Sequence, residues 1–195
     1  MKISYNKVKS MYAEKGWKFY DSGAFNVNLF GIRNGYDVVD EFNDILGIAY
    51  VDDFGNEVVV THKGTTKPGL YYLKNKLGGN NGTAILIPGY YSKCWKIGEH
   101  KGYQALVQNG MPFKVWRDNN SDGKFDIGGT VYTDVTGLNR HTTSFLTEKT
   151  KVGPYSAGCQ VDQDDEDHLV DMAICSKSAR LYGNSFSYAL FDEMS

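Results

Sequence analysis

The segment LGIAYVDDFGNEVVVT at residues 46–61 decides the fold class of this chain. Its two flanks, 46–51 and 57–61, are rich in β-branched and apolar residues, and they enclose the turn-forming sequence DFGN at 53–56. Two such runs around a short glycine-containing turn are typical of a β-hairpin. The segment therefore predicts two antiparallel strands.

The composition extends this β-rich prediction to the rest of the chain. The 195 residues are 41% hydrophobic and 23% charged, which fits one globular domain. The 14 tyrosines, and the 22 glycines against 4 prolines, favour short strands joined by tight turns. Short apolar or alternating runs predict further strands at 25–29, 69–73, 83–87, 113–117, 130–135 and 186–190.

Two helices are expected, one near each end of the chain. Near the N terminus, Gly16 follows apolar residues at three- and four-residue spacing: Tyr5, Val8, Met11 and Tyr12. A late helix is predicted from about Asp164 to Leu181, because acidic residues precede an apolar face that includes Leu169, and basic residues follow it. We expect a mainly β fold with a few helices (β-rich α+β), with a helical segment at 1–24 and one domain at 25–195.

Charge and hydropathy exclude several function classes. The formal net charge is −2, from 21 basic and 23 acidic residues, which argues against a nucleic-acid or anionic-membrane partner. No apolar run approaches the roughly 20 residues that a membrane helix needs. No apolar stretch follows the charged first residues, so we expect no secretory signal. We expect the protein either to stay in the cytoplasm or to leave it by another route, such as cell lysis or packing into a larger particle.

One of the three cysteines stands in a setting that suits chemistry. Cys94, Cys159 and Cys175 form no CxxC pair, which argues against a disulfide framework and a structural zinc site. Cys159 lies among small residues in YSAGCQV at 155–161, which suits close approach of the backbone to a substrate. A thiol needs a base to become a nucleophile, and His141 is the candidate. The alternative is that Cys159 is a small buried hydrophobic residue.

The spacing of His141 from the cluster Ser156-x-Gly158-Cys159 resembles the signature of the L,D-transpeptidase (YkuD-like) catalytic domain family. That family carries a histidine upstream of a Ser/Thr-His-Gly-Cys cluster. The stretch GTTKPGLY at 64–71 is similar to the segment that precedes a core strand there. The resemblance implies an L,D-transpeptidase-like β-sandwich or barrel.

A wider pattern resembles a divergent branch of this family, found in bacteriophages and Bacteroidetes-type genomes and described as peptidoglycan peptidases. The runs that carry this resemblance are GTAIL (82–86), HKGYQALVQ (100–108), RDNN (117–120) and SAGCQ (156–160). The implied activity is that of a cysteine peptidase or transpeptidase acting on bacterial cell wall. A phage murein hydrolase, either an endolysin or a virion-associated enzyme, is the specific form that we expect.

The family chemistry implies roles for individual residues. His141 would take the proton of the Cys159 thiol, and the thiolate would attack a carbonyl of a peptidoglycan stem peptide to give a thioester. Backbone N–H groups around Gly158 and Cys159 would bind the oxyanion. Water as acceptor would give hydrolysis, whereas an amine would give transpeptidation. The resemblance implies no cofactor and no metal.

Six neighbouring residues are candidates for contact with the oxyanion or substrate: Gly158, Ser156, Asn139, Arg140, His100 and Gln160. Arg140 could bind a substrate carboxylate or form a surface ion pair. Asn139 could orient the base or end a strand, and His100 could line the same cleft or lie on the surface. His62 and His168 have no partner motif in the sequence.

Two departures from the family pattern leave other functions open. Ala157 stands where the family has the histidine of its cluster, and Val161 stands where an arginine commonly follows the cysteine. One alternative is therefore a non-catalytic structural phage virion protein that retains the fold and binds virion partners. A second alternative is a cytoplasmic peptidase that acts on recycled murein peptides.

Two oxygen-rich segments raise the question of a metal. Residues 118–126 match the first half of a calcium loop, but the twelfth position is Gly129 and a strand pattern follows. A polar turn between strands explains these residues as well, and is the favoured interpretation. The acidic residues at 164–167 are favoured as the negative start of a helix rather than as metal ligands.

Overall fold

The computed structural model describes residues 3–75, 82–135 and 137–193. The protein is mainly β, with 37% strand and 20% helix, and has an N-terminal and a late helix, which confirms the expected β-rich α+β class. The helices among the described residues are α1 (Tyr5–Glu14), α2 (Leu70–Lys74) and α3 (Asp165–Tyr182). The strands are β1 (Asn28–Arg33), β2 (Asp44–Val51), β3 (Glu57–Thr65), β4 (Thr83–Leu86), β5 (Gly89–His100), β6 (Tyr103–Gln108), β7 (Phe113–Asp118), β8 (Tyr132–Val135), β9 (Arg140–Thr142), β10 (Gln160–Asp162) and β11 (Phe186–Asp192).

Eight strands close into a barrel, and three form a small second sheet. The barrel order is β1-β11-β5-β6-β9-β10-β3-β2, and the small sheet has the order β4-β7-β8. Within the barrel, β1 pairs with β11 and β9 pairs with β10 in parallel, whereas the other barrel pairs are antiparallel. A closed barrel leaves no unpaired edge, so the short strands β9 and β10 are held on both sides.

The hairpin predicted from residues 46–61 is confirmed as β2 and β3, which pair from Asp44 and Gly64 to Val51 and Glu57. Asp52 closes the turn by accepting the backbone N–H groups of Phe54 and Asn56, each at 2.8 Å. The predicted strands at 83–87, 113–117, 130–135 and 186–190 are also present within one or two residues of their ends. The strand predicted at 25–29 begins later, at Asn28.

The prediction of a strand at 69–73 was wrong, because this segment starts helix α2. The Gly69 N–H donates to the carbonyl of Ser156 at 2.9 Å. A Cβ on Gly69 would lie 2.1 Å from the carbonyl oxygen of Gly153, so the two backbones are pressed together here. The backbone of Gly69 therefore joins the segment that leads to Cys159 instead of a sheet.

Both predicted helices are present. Helix α1 begins after Ser4, whose hydroxyl accepts the Lys7 N–H at 3.2 Å, and its buried side chains are the four that the spacing predicted. In α3, however, Leu169 is 54% exposed, so its predicted place on the buried face was wrong. The buried face of α3 includes polar side chains, among them His168 and Asp171, which pair with barrel residues.

Two apolar clusters form most of the core. The larger joins barrel strands, the small sheet and α3, and at its centre the rings of Trp95 and Tyr188 lie 4.5 Å apart. The smaller packs α1 against β1, β2 and β11. The division into segments 1–24 and 25–195 stays a prediction, and its ends at residues 1–2 and 194–195 lie outside the described residues. None of the helices described here is long and apolar enough to cross a membrane.

The start of α3 provides a test of this fold. The Asp164 side chain accepts the Glu166 N–H at 2.9 Å and caps the helix. We expect Asp164→Ala to lower the free energy of unfolding by about 1 kcal/mol, because this backbone donor loses its acceptor. The measurement is urea denaturation followed by circular dichroism. Asp165→Ala is the control, since it removes an equivalent charge from the first turn without removing the cap, and an equal loss in both variants would contradict the capping role.

Candidate active site

The turn before Cys159 is closed by hydrogen bonds of Ser156. Its hydroxyl donates to the carbonyl of Cys159 at 2.7 Å and accepts the N–H of Gly158 at 3.1 Å. Gly158 has a φ of +126°, and a Cβ there would lie 2.7 Å from the carbonyl oxygen of Ala84 on β4. Only glycine fits this backbone. The turn therefore places Cys159 directly before the first residue of β10.

The parallel pairing of β9 with β10 brings Cys159 and His141 to one side of the barrel wall. Gln160 is in register with Arg140, and Val161 is in register with His141. Since side chains alternate along a strand, Cys159 and Val161 share the face that carries His141. Cys159 directly precedes β10, so it lies two residues before the partner of His141. In this structure the Cys159 thiol instead donates to the carbonyl of Gly137 at 3.4 Å.

The position of the proton on His141 follows from its neighbours. Nδ1 lies 2.7 Å from the carbonyl oxygen of Thr142, which can only accept, so Nδ1 carries the hydrogen. The Tyr103 hydroxyl donates to the same carbonyl at 3.0 Å and lies 3.2 Å from Nδ1. This leaves Nε2 of the neutral ring as a lone-pair acceptor, which is the form that a general base requires.

His100 and Asn139 support the ring of His141. The rings of His100 and His141 are stacked with centroids 4.3 Å apart. Asn139 accepts the Gln108 N–H through Oδ1 at 3.0 Å, so its amide nitrogen faces Nδ1 of His100 at 3.1 Å. Asn139 thus contacts His100 rather than His141, and its role in orienting the base stays a prediction.

Burial keeps both candidate catalytic groups uncharged at rest. It raises the pKa of the Cys159 thiol, an effect partly offset by the backbone N–H of Asn139. It also lowers the pKa of His141 to about 3, although the hydrogen bond to Thr142 opposes this shift. At rest, therefore, both the thiol of Cys159 and the imidazole of His141 are neutral.

Arg140 does not face the cleft, contrary to both roles considered from the sequence. Its side chain is 1% exposed and lies on the opposite face of β9 from His141. The guanidinium donates to Asp162 of β10 at 3.0 Å and to Asp171 of α3. A substrate carboxylate therefore has no access to it, and Arg140 ties together three elements around the site.

Sequence reasoning missed the rest of this buried charge network. His168 lies 3.2 Å from Asp162 and 2.9 Å from the carbonyl of Gln104. His62 on β3 lies 3.0 Å from Asp171 and 2.8 Å from Asp167. Burial opposes ionisation of Asp162, but Arg140 and His168 outweigh it and hold the pKa of this carboxyl at about 2. His62 and Arg140 are distant in sequence from their carboxylate partners, and the network follows no motif, so only the tertiary structure reveals these pairs.

The other candidates near Cys159 are structural contacts here. Gln160 is fully buried, donates to the carbonyl of Gly158 at 3.2 Å and accepts from the Tyr188 hydroxyl at 2.9 Å. Ser156 holds the N–H of Gly158, so that donor is not directed towards a ligand. Cys94 and Cys175 are fully buried, and burial raises the pKa of each thiol.

The oxygen-rich segments form turns and caps. In the loop after β7, side chains of Asn120 and Asp122 accept the backbone N–H groups of Asp122 and Lys124, at 2.9 and 2.8 Å. These bonds agree with the favoured polar turn. Over residues 3–75, 82–135 and 137–193, no cluster of three or more His, Cys, Asp or Glu side chains could hold a metal.

Comparison of this chain with models of known protein families, with curated proteins and with solved structures finds no match.

The buried charge network generates a stability prediction. We expect Arg140→Met to lower the free energy of unfolding by roughly 3–5 kcal/mol, because two buried carboxylates lose their cation. Guanidinium denaturation measures the loss. Arg180→Met, an exposed position on α3, is the control and should change stability by less than about 0.5 kcal/mol. Equal stability of the Arg140→Met variant and the wild type would contradict the role assigned to this network.

Proposed function

We propose that this protein is a cysteine peptidase or transpeptidase that acts on peptidoglycan stem peptides, with Cys159 as nucleophile and His141 as base. One observation carries the proposal: the parallel β9–β10 pair holds the thiol on the same face as an imidazole whose Nδ1 proton is fixed on Thr142. A thiol and an imidazole nitrogen that accepts no hydrogen bond from the described residues, both on one face of the sheet, are the minimum that we require for acyl transfer by cysteine.

The proposed reaction begins with rotation of the Cys159 side chain from Gly137 towards Nε2 of His141. The thiol proton passes to Nε2 as sulfur attacks the peptide carbonyl, which gives a tetrahedral oxyanion. The backbone N–H groups of Asn139 and Cys159, which lie beside the sulfur, are the oxyanion donors that we propose. The amine leaves with the Nε2 proton, and a thioester remains.

Completion of the cycle needs an acceptor. Water, activated by Nε2 of His141, would hydrolyse the thioester and restore the thiol, whereas a second amine would form a new peptide bond. The stem-peptide substrate rests on the resemblance of the His141 and Ser156-x-Gly158-Cys159 motifs described above, and the phage setting rests on the wider pattern of runs. A lytic or virion-associated murein hydrolase is the form of the proposal that we favour.

A non-catalytic virion protein is the second candidate, and the electrostatics of the site favour it. Burial keeps the Cys159 thiol protonated and lowers the pKa of His141 to about 3, so no resting thiolate–imidazolium pair exists. Ala157 and Val161 also replace polar residues of the family pattern. A fold retained for assembly with virion partners would need neither charge separation nor substrate contacts.

The raised thiol pKa predicts how Cys159 reacts with iodoacetamide. The rate constant should be small at pH 7 and should keep rising beyond about pH 8.5, the ordinary thiol pKa, because His141 is neutral and cannot stabilise a thiolate. Mass spectrometry of tryptic peptides follows the labelling. Cys94 and Cys175 should label only after denaturation. A rate that is constant from about pH 5 to about pH 8 would reveal a resting ion pair and contradict this account.

Digestion of purified sacculi tests the proposed activity. We expect wild-type protein to release new muropeptides from at least one wall chemistry, and we expect Cys159→Ala and His141→Gln to release none, because each removes a reacting group. Muropeptide masses then identify the bond that is cut. Cys94→Ala, a buried cysteine outside the site, is the matched control and should retain activity.

Two results would overturn the assignment. Equal digestion by wild type and Cys159→Ala would exclude Cys159 as the nucleophile. If circular dichroism confirms that the protein is folded and no type of peptidoglycan yields fragments, the result would favour the non-catalytic virion protein. Activity on soluble stem peptides alone would instead favour a peptidase of recycled murein.

A further inference from the structure

A cavity lies beside the small sheet, and Cys159 is not among its lining residues. Its volume is about 460 Å³, it is open to solvent, and it is lined by residues of β7, β8 and the connection at 119–131. A volume of this size suits a small organic ligand. Connections this long without secondary structure of their own are commonly functional.

The wall of this cavity is held in place before any ligand arrives. The ring of Phe125, in the long connection, lies 6.2 Å from Tyr36, which in turn lies 6.4 Å from Trp116 on β7. Asp126 accepts from the amide of Asn120 at 3.2 Å, and its own N–H donates to Asp118 at 3.4 Å. The connection is therefore anchored by aromatic contacts and by hydrogen bonds.

The cavity lining combines aromatic rings with polar groups. Trp116, Phe125 and Tyr132 provide half-buried rings, and the polar lining includes Asn119, Asp126 and Thr130. The indole of Trp116, the amide of Asn119 and the hydroxyls of Thr130 and Tyr132 make no hydrogen bond to any other described residue. These groups remain able to donate to, or accept from, a ligand.

The charges of the lining select the chemical class of the ligand. The lining contains one cation, Arg117, and one carboxylate, Asp126, so it has no excess charge. Arg117 already donates to the carbonyl of Gly82 at 3.0 Å and lies over the ring of Tyr132. A carboxylate beside amide and hydroxyl groups disfavours an anion and suits a neutral ligand rich in hydroxyl groups.

We propose that this cavity binds a neutral saccharide. The apolar C–H face of a sugar ring would pack on the aromatic side chains, while its hydroxyl or N-acetyl groups would bond to Asn119, Asp126 and Thr130. Of these groups, Asp126 is held by its hydrogen bonds to Asn120 and Asp118, and Phe125 by its contact with Tyr36. The anchored part of the wall reduces the ordering cost that binding would otherwise carry.

The cavity lies close to the candidate active site. Arg117 pairs with Ala84 on β4, and the carbonyl of Ala84 faces Gly158 in the turn before Cys159. One β-strand therefore separates the two sites. The inference stands on the cavity alone and does not require the chemistry of Cys159. If both proposals hold, one glycan–peptide conjugate could contact the two sites together.

Titration with the N-acetylglucosamine trisaccharide, and separately with maltotriose, tests the proposal. Tryptophan fluorescence and amide NMR shifts of the full chain are the measurements. We expect a saturable change with at least one sugar and shifts confined to residues around the cavity. Trp116→Phe should remove the fluorescence change, because the other two tryptophans lie outside the cavity: Trp95 is fully buried in the larger core cluster and Trp17 packs on the cluster of α1. Asp126→Asn should weaken binding about tenfold, since a charged acceptor is lost.

Controls separate this result from the proposed catalysis and from misfolding. Tyr71→Phe, an exposed tyrosine outside the cavity, should bind sugar like wild type, and so should Cys159→Ala. Thr130→Val, a nearly isosteric change at an exposed position, should weaken binding without lowering stability. Three results would overturn the saccharide assignment. The first is no saturable response to either sugar, and the second is unchanged affinity of the Asp126→Asn variant. The third is a stronger response when adenosine is titrated in place of sugar.

Discussion

The contact of Arg140 with Asp162 and Asp171 is the interaction on which the candidate site depends. It joins β9, β10 and α3 inside the barrel, where a lone charge would be costly, and it is completed by His168. Since neighbouring side chains point to opposite faces of a strand, directing Arg140 inwards directs His141 outwards. The buried ion pairs thus set the face on which the candidate base meets Cys159.

Much of the fold could be predicted because local patterns agree with tertiary structure. The 46–61 hairpin has its turn residues between two apolar runs, and α1 has apolar residues at helical spacing. Prediction failed where tertiary contacts override local pattern. Residues 69–73 look like a strand but pack against Gly153, and α3 buries Asp171 while exposing Leu169. Rules based on local sequence do not include these tertiary partners, so they could not predict either outcome.

The site was only partly predictable. The spacing between His141 and Cys159 identified the two candidate reacting groups, and the small residues before Cys159 indicated a tight turn. The direction of Arg140 was missed, because β9 is only three residues long and carries too little alternation to identify its faces. The proton position on His141 depends on the carbonyl of Thr142. Because every residue has a backbone carbonyl, the amino-acid sequence does not predict this contact.

A covalent intermediate on Cys159 is the most direct test of the central claim. Purified protein would be mixed with a soluble disaccharide stem peptide, quenched in acid and analysed by intact-mass and peptide mass spectrometry. The account predicts an added acyl group on the peptide that contains Cys159, absent from Cys159→Ala and released by hydroxylamine as expected for a thioester. No adduct with any stem peptide, or an adduct on Cys94 or Cys175 instead, would contradict it.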